Sequence, residues 1–210
     1  MKQPRPVSWP AGLSPRVLVA AYASGAFPMP DPDDESHLMW FSPDPRGVLP
    51  LDERFHVPRR LRRKLRGGRF TCTIDRAFNA VMRSCADRPE GTWITQDFLA
   101  AYGKLAELGI AHSVEAWVSP EPGDQPDGGI YGLALGGAFF AESMFHRVTD
   151  AGKAALVYLV ERLRGRGFGL CDVQWLTPHL KTFGAFEVDR AEYLSMLSTA
   201  LGAHVRFDGP

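Results

Sequence analysis

Two rhythms of apolar and polar positions run along this chain, and one gives way to the other near residue 110. Upstream, apolar residues recur at the spacing of one helix face. Val17 to Tyr22 predicts a helix that Ser14 caps, Pro15 opens and Gly25 stops. Residues 75–86 put Ala77, Phe78, Val81, Met82 and Cys85 on one face, with Asp75 as the expected cap. Thr95 to Leu108 repeats the pattern with Phe98, Leu99, Tyr102 and Leu105, and Gly109 ends it. From His112 to Val118 the period drops to two, as in a strand, and the acidic, Pro/Gly-rich stretch Ser119 to Asp127 reads as a hairpin loop. Ile130 to Leu135 and Ala138 to Phe145 predict two strands around Gly136-Gly137. A helix over 151–164 with Asp150 as cap follows, then a strand from Phe168 to Gln174. A short helix, Pro178 to Phe183, and an amphipathic one, Asp189 to Leu201, close the chain. Before all this, Pro28, Pro30, Pro32, Pro43, Pro45 and Pro50 predict an irregular wrap over 27–50, with Trp40-Phe41 on a loop.

Helices first, then strands mixed with helices, predict an α/β (α+β) fold with a mixed sheet. At 210 residues the chain can bury a sizeable core. Hydrophobic content of 45% and charged content of 23% are those of a globular protein, and a formal net charge of zero confines any nucleic-acid contact to a local patch. Cys72, Cys85 and Cys171 are dispersed, which argues against a disulfide framework or zinc site and for a reducing compartment. The first fifteen residues lack the apolar run of a signal peptide, and the run from Ile130 to Ala141 is too short to span a bilayer. The expectation is a cytoplasmic protein without membrane attachment; balanced charge and the lack of a heptad pattern point to a monomer.

Chemistry enters at the ends of the apolar runs. Glu142 closes one strand, and Asp172 and Gln174 close another. A carboxylate is costly to desolvate, so one at the end of an otherwise hydrophobic strand points to a task. The bland readings are a capping or salt-bridged Asp172 and an internal ion pair between Glu142 and, for example, Arg147. The second cue is a basic run. Arg59, Arg60, Arg62, Arg63, Lys64, Arg66 and Arg69 place seven of 24 basic residues within eleven positions, with no acidic residue among them. This is the density that phosphate neutralisation needs, although a solvated helix face has the same composition. His112, His146 and His179 lack metal-ligand spacing, and no metal is expected. Neither a G-x-S-x-G elbow nor a P-loop is present.

Several ordered blocks together resemble one family, the leucyl/phenylalanyl-tRNA–protein transferases. They are AYASGAFPM (21–29), WFSPDPRGVLPL (40–51), FHVPRRLRR (55–63), GTWIT (91–95), AHSVEAWV (111–118), GGIYGLALGGAFFAESMFHR (128–147), TDAGKAALVYLVERL (149–163) and the D-x-Q of CDVQ (171–174). The resemblance implies a GNAT-like acyltransferase domain preceded by a smaller N-terminal domain. The division expected here is 1–70, with the proline-rich wrap and basic run, and 71–210, with a helical lead-in over 71–109 and a sheet-forming part over 110–210. It also implies an aminoacyltransferase that moves Leu or Phe from aminoacyl-tRNA to proteins with N-terminal Lys or Arg, creating an N-terminal degradation signal.

No cofactor is expected, because an aminoacyl ester is already activated and HRVTDAGKAA does not fit the pyrophosphate turn of acyl-CoA enzymes. The resemblance assigns Asp172 and Gln174 to a relay in which Asp172 polarises the Gln174 amide; its residue chemistry fits a positioning role for Gln174 better. Glu142 would bind the cationic end of the acceptor. Trp93 and Tyr22, with Trp40 and Phe41 behind them, are the candidates for stacking the terminal adenosine of tRNA. Arg59, Arg60, Arg62, Arg63, Lys64 and Arg66 would meet its phosphates, and Met144, Phe140 and Leu170 would line the aminoacyl pocket. The chain departs from the family pattern at Gly152, where serine is usual, and at Met29 and Phe41, where tryptophan occurs. Two other readings compete: an acyl-CoA-dependent GNAT enzyme, and an RNA-binding protein that has lost its chemistry.

Overall fold

A computed structural model describes residues 6–8, 12–31, 34, 37–89, 91–119 and 121–209. Pro32 of the proline series and residue 120 of the 119–127 loop lie outside them. In chain order the elements are β1 (Pro6–Val7), α1 (Pro15–Ala23), β2 (Phe27–Pro30), β3 (Leu38–Phe41), β4 (Arg46–Leu49) and α2 (Arg59–Arg66). Next come β5 (Thr71–Ile74), α3 (Phe78–Ala86), α4 (Gln96–Glu107), β6 (Ala111–Trp117), β7 (Gly128–Leu135) and β8 (Ala138–His146). The last are α5 (Ala151–Gly165), β9 (Leu170–Gln174), α6 (Pro178–Lys181), β10 (Phe186–Val188) and α7 (Arg190–Leu201).

The main sheet has seven strands in the order β10-β4-β9-β8-β7-β6-β5. Every pairing is antiparallel except β8–β9, which α5 joins as a parallel crossover, so the fold is the mixed α/β one expected. Strand alternation sends Tyr131, Leu133, Phe140 and Leu170 to one face, where they pack with Tyr22, Phe98, Tyr102 and Tyr193 of α1, α4 and α7. It sends Ile130, Phe139, Ala141, Cys171 and Val173 to the other face, against the nearly continuous apolar surface of α5. That helix is buried along most of its length, which explains its run of Ala, Leu and Val residues.

Three local expectations need correction. Residues 27–50 are not an irregular wrap: they contain β2, β3 and β4. Pro28 and Pro30 are accommodated because β2 is an edge of the small sheet β1-β3-β2, where a missing N–H leaves no ladder bond broken. The proline-free residues Arg46–Leu49, expected in the smaller domain, insert between β9 and β10 of the main sheet. Asp75 does not cap α3, which begins only at Phe78; its backbone is left-handed and its carboxylate accepts from Ser113 N–H while pairing with His112 Nδ1 at 2.7 Å. Asp150 precedes α5 but makes no capping bond. Its carboxylate is held by Lys64 and Lys153, at 2.5 and 2.9 Å, which keep it down at about 2, well below the usual carboxylate range.

Candidate active site

Two irregularities in neighbouring strands build the site. On β8, Ser143 pairs with Tyr131 and Ala141 with Gly132, so Glu142 is an extra residue with no partner opposite it. On β9, Gln174 pairs with Gly47 and Asp172 with Val48, so Val173 is extra in the same way. Bulges of this kind bend a strand and re-aim its side chains. The parallel ladder between β8 and β9 ends at Phe140 and Asp172, just where the bulges begin. Beyond that point lies a cleft of about 450 Å³, within the usual range for a site that takes a small organic group.

Ile130, Ala141, Met144, Leu156, Val173 and Leu180 give the cleft an apolar lining, and Glu142, Gln174, Arg88, Thr92, Thr177 and His179 give it polar groups. Trp93 lines it too, half-buried and edge-on to Phe98 at 5.3 Å between ring centres. Phe27 and Trp175, perpendicular to each other at 4.9 Å, form a further aromatic wall, with Phe41 packed on Trp175 from behind at 6.3 Å.

Asp172 lies beneath this surface and is wholly buried. Its Oδ1 accepts from Arg46 Nε at 2.9 Å and from the main-chain N–H of Gln174 at 2.8 Å. Its Oδ2 accepts from Arg46 Nη2 and from the Tyr193 hydroxyl, both at 2.7 Å. Arg46, equally buried, donates its remaining Nη1 to Gly25 O at 2.9 Å and lies between the rings of Phe27 and Tyr193, 4.9 and 4.6 Å from their centres. Four donors occupy the carboxylate, a bidentate guanidinium among them. The bland reading of Asp172 as an ion pair is therefore correct as far as its partner goes. What the pair holds is the adjoining backbone: Gln174 has φ of +56°, a left-handed conformation that an L-residue keeps only where its surroundings impose it.

The consequence is a side-chain arrangement that simple alternation does not give. Asp172 bonds the backbone of Gln174, while the Gln174 amide turns to the cleft and donates Nε2 to Glu142 Oε1 at 3.2 Å. The Tyr102 hydroxyl stands 3.5 Å from Glu142 Oε2 and 2.5 Å from the hydroxyl of Tyr22. Desolvation pushes Glu142 up to about 8. Hydrogen bonding from Tyr22 and Tyr102 and the charge of Arg46 act against that rise, and the charge of Asp172 adds to it. Arg147 is not the partner of Glu142: its guanidinium bonds Ser84 and Gln125.

The structure therefore gathers Glu142, Gln174, Trp93 and Met144 at one cleft, with Asp172 behind them. It does not bring the rings of the other named aromatics there, although the Tyr22 hydroxyl bonds Glu142 from the core. Tyr22 and Trp40 are core residues, 0% and 3% exposed, and Phe140 and Leu170 pack on the far side of the sheet from the apolar lining. Arg59, Arg60, Arg62, Arg63 and Arg66 are exposed on α2, anchored by buried Leu61, whereas Lys64 is engaged with Asp150. Arg46, Tyr193, Arg88 and the floor residues other than Met144 were missed, and His179 was passed over for want of metal-ligand spacing. Leu156 and Val173 carry no local signal that separates pocket from core, but Arg46 at the head of the apolar run GVLPL was a visible cue. Gly152 has a packing reason: a Cβ there would stand 2.6 Å from Phe145 O, and Gly128 lies directly against its backbone. Among the described residues, no cluster of His, Cys, Asp and Glu could hold a metal ion, and no helix is long and apolar enough to cross a membrane.

The bulged cleft thus joins an apolar floor and an aromatic wall to the Glu142–Gln174 carboxylate–amide pair. Residues 48–198 match the sequence model of the family described as leucyl/phenylalanyl-tRNA protein transferase, and residues 12–44 match that of its N-terminal domain. Among similar proteins, one from Paramagnetospirillum magneticum is 54% identical over 200 residues, which cover 93% of each chain. One from Herpetosiphon aurantiacus is 49% identical, covering 93% of this chain and 98% of the relative. One from Akkermansia muciniphila is 50% identical, covering 90% and 96%. All three are named leucyl/phenylalanyl-tRNA–protein transferase. The chain belongs to this family of aminoacyltransferases.

Proposed function

We propose that this protein transfers leucine or phenylalanine from aminoacyl-tRNA to the α-amino group of proteins beginning with Lys or Arg, and so marks them for degradation. The observation that carries the reading is the junction of Glu142 and Gln174 with an apolar floor inside one open cleft. The floor, with Met144 at its edge, receives the Leu or Phe side chain. Trp93 offers the face on which the terminal adenosine stacks, with Trp175 and Phe27 opposite. Gln174, fixed through Asp172, orients the reacting groups, and Glu142 in its ionised form attracts the cationic acceptor. The exposed arginines of α2 meet tRNA phosphates, where each neutralised phosphate releases counterions.

The aminoacyl ester is activated already, so orientation supplies the main acceleration, which can reach about 7–11 kcal/mol. No cofactor enters this scheme. The three cysteines are free, in keeping with a cytoplasmic enzyme, and we take it to act as a monomer. The test is a transfer assay with purified protein, labelled leucyl-tRNA and an Arg-initiated peptide, run without coenzyme A and against an Ala-initiated control. Label on the Arg peptide alone is the expected result. Tight tRNA binding without transfer would instead favour a binding protein.

A further inference from the structure

We propose that Glu142 is the proton acceptor of the transfer reaction, and that Asp172 stands outside the proton path as the group that positions Gln174. This rests on the aminoacyl-transfer reading and assigns the proton within it. A group that takes a proton from the attacking nitrogen needs a lone pair that reaches the cleft. Asp172 has none to offer: both oxygens are occupied, by Arg46, Tyr193 and the Gln174 backbone. Gln174 presents an amide, a very weak base, and its nitrogen already donates to Glu142. Glu142 is the carboxylate that the β8 bulge aims into the cleft.

The surroundings of Glu142 are those of a group meant to exchange a proton. Tyr22 of α1, Tyr102 of α4 and Gln174 of β9 hydrogen-bond it, and none of them is a cation. Behind these, Tyr131 of β7 keeps a buried hydroxyl with no hydrogen-bond partner among the described residues. The charged groups nearby are committed elsewhere: Arg46 of β4 to Asp172 of β9, and Arg88, after α3, to Cys85 O, Ser143 Oγ and Met144 O. A carboxylate without a fixed counter-charge, in a desolvated place, holds a proton well enough to compete with an amine; here it titrates at about 8. A free α-amine titrates at about 7.7–8.0, so the two are matched for transfer.

In the step itself, the acceptor nitrogen attacks the ester carbonyl carbon and the C–N bond forms. One proton passes from that nitrogen to a Glu142 oxygen. The C–O bond to the ribose breaks, and the same proton passes from Glu142 to the departing ribose oxygen. The carboxylate ends as it began, so neither an oxidant nor a further reactant is needed. The Gln174 amide holds one carboxylate oxygen and the Tyr22–Tyr102 hydroxyls the other, which keeps the proton-carrying group fixed through both transfers.

The test separates this role from simple attraction of a cationic acceptor. Leucyl-tRNA would be reacted with methoxyamine, a nucleophile that is uncharged over the range and lacks a basic side chain, and in parallel with an Arg-initiated peptide. Background-corrected rates would be followed from pH 6 to 9. With methoxyamine the wild-type rate should rise through a single ionisation near 8, while Glu142→Gln should be flat and slower by about 10²-fold or more at the upper end. Asp172→Asn should be slower but keep the inflection. A flat wild-type profile with methoxyamine, or an inflection that survives in Glu142→Gln, overturns the proposal; the latter outcome would direct attention to His179. Unchanged tRNA affinity of both variants excludes misfolding as the cause. Absence of any transfer by the wild type, to either nucleophile, would defeat the aminoacyl-transfer reading itself.

Discussion

Arg46 and Asp172 form a wholly buried ion pair, and such a pair contributes more to fixed geometry than to net stability, because desolvation offsets its attraction. Removing one member is another matter. Arg46→Met should destabilise the protein by about 3–5 kcal/mol, measured by denaturant unfolding, because it leaves a buried carboxylate uncompensated. The double replacement Arg46→Met with Asp172→Leu should recover much of that stability while transfer remains lost. Gly152 makes a converse case. In Gly152→Ser the new Cβ meets Phe145 O and the side chain of Met144. The expected cost is about 1–3 kcal/mol, seen in thermal melts as roughly 2–4 °C per kcal/mol. Glu142 and Asp172 were legible as residues with a task because both are carboxylates that interrupt apolar strands. Their division of labour was not, since the groups that hold Asp172 come from 126 positions upstream and 21 downstream.

At the level of elements, strands read by alternation alone place Asp172 and Gln174 side by side on one face. The bulge at Val173 and the left-handed backbone of Gln174 undo that symmetry, and periodicity has no signature for either. Helices α4 and α7 were visible because each buries one stripe, and α5 because it is apolar along most of its length. The proline-rich strands were not, because prolines on an edge strand look like prolines in a loop. Helix α2 keeps five arginines exposed around one buried leucine, which suits a helix that docks lightly and presents charge outward. Replacing Arg60, Arg62 and Arg63 by alanine should weaken tRNA binding and reduce the slope of log affinity against log salt by roughly 2 to 3, with turnover at saturating tRNA little changed. Lys64→Ala should alter that slope less, because Lys64 faces Asp150.

Across the whole molecule, the site works against the stability of the fold. Glu142 binds its proton more tightly in the folded chain than in the unfolded one, so between about pH 4 and 8 the native state retains a proton that the unfolded state has released. Stability contributed by this group therefore falls as pH rises through that window. Glu142→Gln, which lacks the ionisation, should melt at a higher temperature than the wild type, with a gap that widens from pH 5 to 8 and then levels off. The mixed sheet and its helices could be read from the order of elements, whereas the insertion of β4 beside β9 could not, because a non-local pairing leaves no local trace. That pairing has a temporal meaning. Gly25 and Arg46 leave the ribosome long before Asp172 and Tyr193, and a chain still under synthesis has an arginine with no carboxylate to meet. The Asp172 side of the site would thus stay unassembled in a nascent fragment, and form only when the two distant parts of the chain have closed on each other.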